Sequence, residues 1–421
     1  ISSIHMTKQI LFELSSEQKK AFALLSSGEN VFITGGAGSG KSFLVRHYMR
    51  DICTKKTPIL ASTGAAAVLL GGRTFHSFFG LGIMEGGPSA ALDRGRKDGR
   101  LMKRLRSVEG VIVDEISMIP RSAFEVAEAL ARVARGNQHP WGGLRMILVG
   151  DFAQLPPVTK SKETRDWSFL SEVWEKSQFQ ACLLTHNQRV TTDTEFLEVL
   201  SDVRAGKVSQ KVQNFLHSRS REHDESDKST RLFPRRDQSE THNQRELAEI
   251  QKPEIRIPSI YLGESRFVEM LQKSAPVPGE LVIKEGARVM FLQNDPQKRW
   301  VNGTRGTVVE FQTDKIIVEK ENRREVQVEK SQFAMQDADG KVVASVINFP
   351  LSLAYATTIH KAQGATLDDL WVDLTRLWEP GHAYVALSRL RKGEGLRLLG
   401  WSPKSFITDL MVTKFYESLQ V

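Results

Sequence analysis

The chain has 421 residues, of which 40% are hydrophobic and 26% charged, enough apolar material for two or three packed domains, which excludes a disordered tail. A formal net charge of +8 points towards a polyanionic partner, because neutralising phosphates releases counterions. Cys53 and Cys182 lack C-x-x-C spacing, which speaks against a cysteine zinc site or a disulfide framework and for a reducing setting, and no apolar run approaches the roughly 20 residues of a membrane span.

Ile1 to His5, ahead of Met6, are set aside. Over about the first 180 residues, short apolar runs bounded by Gly, Ser and Asp alternate with helical patterns, which predicts a parallel sheet covered by helices. The expected strands are Val31 to Thr34, Ile59 to Ser62, Val111 to Val113, Met146 to Val149 and Cys182 to Leu184. Each ends where a motif begins, and open α/β sheets bind ligands beyond the carboxyl ends of their strands.

Within this first domain, expected over 1–176, the stretch from Arg94 to Arg106 is basic apart from Asp98 and follows the Gly-rich segment Gly80 to Gly87. It reads as a solvated loop and helix or, equally, as a small basic insert over about 80–106 beside the bound strand. Ser122 to Arg135 predicts an amphipathic helix with Phe124, Ala127, Leu130, Val133 and Ala134 on one face. Glu240 to Gln251 reads as a surface helix.

Beyond Gly286 the pattern changes to short alternating strands at Arg288 to Leu292, Arg305 to Phe311, Lys315 to Val318 and Glu325 to Val328. Asn302-Gly303 and Asp339-Gly340 are turn dipeptides. A small β-barrel over 281–345, inserted into a second α/β domain of 177–280 and 346–421, accounts for the shift, since strand-then-helix patterning resumes after Phe349.

Gly35-Gly36-Ala37-Gly38-Ser39-Gly40-Lys41-Ser42 matches G-x-x-x-x-G-K-[ST], placed between an apolar strand and the helical run Phe43 to Met49. Glycines let backbone N–H groups face phosphate oxygens, and the following helix adds its positive dipole end. Lys41 is expected on the β- and γ-phosphates and the Ser42 hydroxyl on magnesium. Val111-Ile112-Val113-Asp114-Glu115 runs an apolar strand into two acids, Asp114 for magnesium and Glu115 to polarise the attacking water. No N-K-x-D guanine-reading string is present, and Gln18 is a candidate reader of adenine. The expected cofactors are therefore ATP and Mg2+.

From here the resemblance is specific: the chain resembles the petite-integration-frequency (PIF) family of superfamily-one helicases over nearly its whole length. The ordered blocks are the segment around Gln18, the phosphate cradle, Thr63-Gly64-Ala65-Ala66-Ala67 with Gly71-Gly72-Arg73-Thr74-Phe75-His76-Ser77-Phe78-Phe79, and Asp114-Glu115-Ile116-Ser117. They continue with Gly150-Asp151-Phe152-Ala153-Gln154-Leu155-Pro156-Pro157, Asn187-Gln188-Arg189, Tyr355 to Gly364 and Ala383 to Arg389. Gln188 stands where the usual family pattern has Phe.

The resemblance implies two RecA-like motor domains, a basic insert in the first and a Src-homology-three-like barrel in the second. It implies that Gln154 senses the γ-phosphate and that Arg189 and Arg389 are arginine fingers reaching from the second motor domain, with Gly364 at the nucleotide. Thr63, Gly64, Phe75, His76, Ser77, Thr358, His360 and Lys361 fall in segments that resemble strand-contacting motifs, where hydroxyls and basic groups suit phosphates and rings suit bases. The implied activity is ATP-dependent 5′-to-3′ translocation on single-stranded DNA with unwinding of duplex, forked and four-stranded guanine DNA. It implies a monomer, no membrane partner, and a place at the nucleoid of a bacterium or in the nucleus or mitochondrion of a eukaryote. The alternatives are a RecD-like motor subunit and a nucleotide-gated single-strand clamp.

Overall fold

The computed structural model describes residues 14–51, 56–70, 72–82, 84, 86–157, 165–222, 224, 227, 229–312, 314–337 and 341–419. Cys53, Gly71, the turn Asp339-Gly340 and Ile1 to His5 lie outside the described residues.

Strands β1 (Val31–Gly35), β2 (Ile59–Ala61), β3 (Arg73–Thr74), β4 (Gly110–Asp114), β5 (Arg145–Val149) and β6 (Gln180–Leu184) form one parallel sheet in the order β3-β2-β4-β5-β1-β6. Its central strands are continuous apolar runs because both faces are covered. Side-chain alternation then sorts them: Val31 and Ile33 pack with Ala21, Leu25, Leu44 and Val45 of the helices Ser16–Ser26 and Lys41–Asp51. Phe32 points the other way, into the core shared with Val111, Val113, Met146 and Leu148.

Two boundaries differ from expectation. β6 pairs with β1 along its full length, so the chain leaves the first lobe after Leu184 rather than at 176. The final helix, Leu410–Ser418, was expected in the second lobe but returns to the first, placing Val412 and Tyr416 in the same core as Phe32 and Phe152. Its apolar side finds the aromatic cluster of that core, a choice set by three-dimensional packing and not by chain order.

The basic stretch folds as two helices, Gly87–Lys97 and Gly99–Ser107, stacked on the helix Arg121–Arg135. Its one acid, Asp98, caps the second helix by accepting from the backbone N–H of Arg100 and Leu101. Leu101 and Leu105 enter the core, and buried Arg104 donates to the Phe78 carbonyl at 3.0 Å. On the helix Arg121–Arg135, Phe124, Ala127 and Leu130 are buried as expected, but Val133 is 46% exposed. At 100° per residue it lies about 120° from the centre of the apolar stripe, which Ala131 and Ala134 continue instead.

The second lobe opens with the helices Thr194–Arg204 and Gln210–Arg219, which pack against its sheet, and continues with β7 (Thr230–Phe233) and the helix Arg236–Ala248, the latter beginning four residues before the expected Glu240. An insertion follows, comprising β8 (Ile255–Pro258), β9 (Ile260–Gly263), β10 (Glu280–Ile283), β11 (Arg288–Phe291), β12 (Arg305–Gln312) and β13 (Lys315–Lys320). It continues with β14 (Glu325–Glu329), β15 (Ser331–Gln336), β16 (Val342–Asn348) and β17 (Leu351–Leu353). The lobe resumes with β18 (Ala356–Thr358), β19 (Leu370–Leu374) and β20 (Leu396–Trp401), giving a parallel sheet in the order β18-β7-β19-β20.

The insertion is thus wider than 281–345, running from β8 to β17. Its strands split into a five-stranded sheet β14-β13-β12-β11-β17, the pair β10-β8 and a three-stranded sheet β15-β16-β9. The first two share a core around Phe291, Trp300 and Val318, while the third packs with the helix Ser265–Ser274 around Leu271 and Val346. Among the described residues no helix is long and apolar enough to cross a membrane.

Candidate active site between two lobes

The carboxyl ends of β1, β4 and β5 open onto one cleft of about 650 Å³, lined by Gly38, Lys41, Glu115, Gln154, Arg189, Gly364 and Arg389 among others. After β1 the chain turns through Gly36 to Ser42, where Gly38 has φ +81° and a Cβ there would stand 2.7 Å from the Arg189 Cβ. Only glycine fits that conformation beside that neighbour. Lys41 reaches back to donate to the carbonyls of Gly35 at 2.7 Å and Gly36 at 3.1 Å. Burial lowers its pKa, with Asp151, Glu115 and Asp114 opposing.

Asp114 ends β4, and its carboxylate accepts from the Glu115 N–H. Glu115 sits at φ +54°, and its Oε2 is buried without a hydrogen-bond partner. Strain of this kind in a non-glycine residue marks a side chain that the surrounding fold aims. Burial, reinforced by the neighbouring Asp114 charge, pushes its carboxyl up to about 7, the range suited to a proton acceptor at neutral pH.

Arg389 leaves the second lobe just after the wholly buried helix His382–Leu387. It donates to the carbonyls of Val385 and Ala362 at 2.8 and 3.2 Å and to the Ser388 hydroxyl at 3.0 Å. Burial, then the nearby Arg189 guanidinium, bring its pKa down to about 9, and burial brings Arg189 down to about 10. Both remain cations at neutral pH, and two crowded guanidiniums facing a cleft favour an anion between them.

Arg189, expected to reach from the second lobe, stands at the crossing between the lobes, its neighbour Val190 already packed in the second-lobe core. It lies on the segment that leaves β6, and that segment is pinned to the first lobe. Asn187 Nδ2 donates to the Ala37 carbonyl at 2.9 Å, the Gln188 N–H to Gly38 O at 2.7 Å, and Glu17 accepts from the N–H groups of Thr185 and His186. Arg189 then reaches over to the Ser388 carbonyl of the other lobe.

Gln18 is only 4% exposed, and its Oε1 accepts from the Ser15 N–H in a capping box at the start of the helix Ser16–Ser26. Its Nε2 approaches Gly40 of the cradle. The string Ser15-Ser16-Glu17-Gln18 therefore carries a helix signal that the adenine reading passed over. Gln154 bonds to Asp151 at 3.4 Å and receives Gln363 Nε2 at 3.3 Å, one residue from Gly364.

Asp151, Arg204, Tyr384 and Tyr416 are a group that sequence reasoning missed. Asp151, wholly buried, accepts from Arg204 of the second lobe at 2.8 Å and from the Tyr416 hydroxyl at 2.9 Å. The Arg204 charge holds the Asp151 carboxyl below its usual range against the upward pull of burial. Tyr384 of the second lobe accepts the Ala37 N–H of the cradle at 2.7 Å. The available signal was position: Asp151 and Tyr384 lie inside quoted motifs.

The strand-contacting candidates divide. Thr63, Gly64, His76 and Ser77 are partly exposed, and His360 and Lys361 are exposed. Thr358 is only 6% exposed, with its hydroxyl accepting the Lys361 N–H at 3.1 Å, so it braces the turn rather than lining its surface. Phe75 is a correction: Phe75, Phe78 and Phe79 are all 0% exposed, packed on one another in the first-lobe core, and present no face to a base. Gly64 lies against the insertion, where an added Cβ would meet the Ser274 Cβ at 2.7 Å.

The sequence model of the PIF1-like helicase family matches residues 13–214, and that of the DNA helicase Pif1 2B domain matches residues 266–311. An ATP-dependent DNA helicase Pif1 from Bdellovibrio bacteriovorus is 63% identical over 97% of this chain and 92% of the relative. The crystal structure of Bacteroides sp Pif1 in complex with ADP-AlF4 is 28% identical, covers 97% of each chain and superposes with a TM-score of 0.86. Bacteroides Pif1 bound to ssDNA, also 28% identical and covering 96% of this chain and 97% of that one, gives 0.66.

Proposed function

This chain belongs to the PIF1-like helicase family, and from that premise we propose that it is an ATP-driven motor that travels 5′ to 3′ along single-stranded DNA and unwinds duplexes ahead of it. The observation that carries the reading is the single cleft walled by the cradle of one lobe and by Arg389 of the other. A nucleotide seated there touches both lobes, so its binding and loss change how the lobes meet.

Lys41 and the cradle N–H groups bind the phosphates, Glu115 takes a proton from the attacking water, and Arg189 and Arg389 neutralise charge that develops on the terminal phosphate. Gln154, bonded on one side to Asp151 and on the other to Gln363 beside the strand-facing turn, relays the state of that phosphate. The Ser42 hydroxyl and the Asp114 carboxylate are hard oxygen donors that fit magnesium. Bound there, the ion would supply charge neutralisation to the β- and γ-phosphate oxygens.

Thr63, His76, Ser77, His360 and Lys361 grip the strand, those before the crossing on one lobe and those after it on the other. Alternation of the two grips gives stepping. Separating each base-pair step costs on average about 1.4 kcal/mol of stacking, so a motor that turns over nucleotide need only stop strands from re-annealing behind it. The proposed working unit is a monomer, and its proposed place is wherever the cell keeps DNA. Forked and four-stranded guanine DNA are the substrates to compare with simple duplexes.

Partial duplexes tailed at either end, mixed with enzyme, ATP and magnesium, test the reading. Unwinding is expected on the 5′-tailed substrate; unwinding confined to the 3′-tailed one overturns the polarity. Hydrolysis raised by single-stranded DNA with no strand displaced would favour a clamp. Lys41→Ala is expected to abolish DNA-stimulated hydrolysis, and full retention would remove the cradle from the mechanism.

A further inference from the structure

We propose that His360, Glu379 and His382 form a site on the second lobe for a divalent transition-metal ion of the zinc class. His360 lies in the turn that follows β18, while Glu379 and His382 flank Pro380-Gly381 at the start of the helix His382–Leu387. Their ligand atoms all lie within 4.8 Å of one another. The two imidazole rings stand 5.2 Å apart and nearly perpendicular, at 86°, with the edge of one towards the other.

An independent feature singles out this cluster. His382 is 1% exposed, and neither of its ring nitrogens has a hydrogen-bond partner. Buried polar atoms are nearly always partnered, and a metal ion is a partner that an imidazole nitrogen accepts directly. The donor set of two imidazole nitrogens and one carboxylate oxygen suits zinc, cobalt, nickel or copper and not magnesium or calcium.

Zinc holds such donors at about 2.0 to 2.2 Å, which puts them about 3.4 Å from one another. Ring rotation at His360 and the flexible carboxylate of Glu379 close the remaining gap. Three protein ligands leave a fourth position to water. Glu379 now pairs with Arg165 of the first lobe at 3.1 Å, so a metal competes with a contact between lobes and at the same time takes the His360 ring from the strand-facing surface. Metal occupancy therefore weakens the grip on DNA. That consequence rests on the reading of His360 as a strand contact; metal binding itself does not.

The full chain, stripped with a chelator and titrated with Co2+, tests the site through the visible absorption of tetrahedral cobalt. One equivalent is expected to bind. His382→Gln and Glu379→Gln should each weaken binding by about 100-fold with an unchanged circular dichroism spectrum, and either variant suffices should the other fail to fold. Uptake indifferent to both substitutions overturns the site. In a second arm, one equivalent of Zn2+ should weaken single-stranded DNA binding about tenfold in the parent chain and leave that of His382→Gln unchanged. Zinc that binds without altering DNA affinity would overturn the His360 link while the cobalt arm upholds the metal site.

Discussion

The two lobes carry the same kind of parallel sheet and use it in opposite ways. In the first, the working groups sit on short loops directly after β1, β4 and β5, and much of what they offer is backbone. In the second, Arg389 follows a helix whose six residues are all buried, and carbonyls of its own lobe hold the guanidinium. One lobe is a fixed seat and the other delivers a charge that must shift its own bonds to act. Side-chain substitutions should therefore separate binding from chemistry more cleanly in the second lobe than in the first.

The largest effect is expected at Arg389. Arg389→Ala should lower kcat for hydrolysis by about 10³- to 10⁵-fold while nucleotide affinity, read by a fluorescent analogue, stays within a few-fold. A parallel collapse of affinity would erase the distinction between seat and charge. Next comes Glu115→Gln, which should cost about 10²- to 10⁴-fold in rate and leave a stable ATP complex. Loss of nucleotide binding in that variant would make Glu115 part of the seat.

A smaller effect tests how firmly the insertion is fixed to the second lobe. Arg305 of β12, almost wholly buried, pairs with Asp369 at the entrance to β19 at 2.7 Å. Burial alone would raise the Asp369 carboxyl, but hydrogen bonds and charge from Arg305 outweigh it and hold it down at about 2. Since the folded value lies below that of the unfolded chain, about 3.9, the contribution is complete above pH 4 and is lost as pH falls towards 2. Asp369→Asn should destabilise the chain by about 2 to 3 kcal/mol at pH 7 in urea melts, with the difference from the parent shrinking over that acid window. A constant difference down to pH 2 would assign the loss to something other than the ion pair.

The smallest effect belongs to the outer rim, where Lys361 is exposed. Lys361→Ala should reduce the salt dependence of single-strand binding by about 0.7 in log–log slope and weaken affinity a few-fold, with hydrolysis at saturating DNA little changed. An unaltered slope would remove Lys361 from the strand path.

What was legible in the chain is what short contiguous strings encode. The cradle, Asp114-Glu115 and the segment ending at Arg389 bring their chemistry within a few residues, and the strands that carry them announce themselves as apolar runs. Phe75 was misread because aromatic spacing does not say which side of a short helix faces the sheet. Arg189 stands at the crossing because its segment bonds to both lobes, the Gln188 N–H to Gly38 O of one and the Arg189 guanidinium to the Ser388 carbonyl of the other, contacts that no local pattern reports. The contacts of Asp151 with Arg204 and Tyr416 span 53 and 265 residues, a separation at which only the fold brings groups together.

The Tyr384 hydroxyl bonded to the Ala37 N–H has a mechanical meaning. One arm of the phosphate seat is already shaking hands with the opposite lobe, so an arriving nucleotide competes with a tenant before it settles. A phosphate that takes the Ala37 N–H would have to replace the Tyr384 hydroxyl, so filling the seat trades one link between the lobes for another.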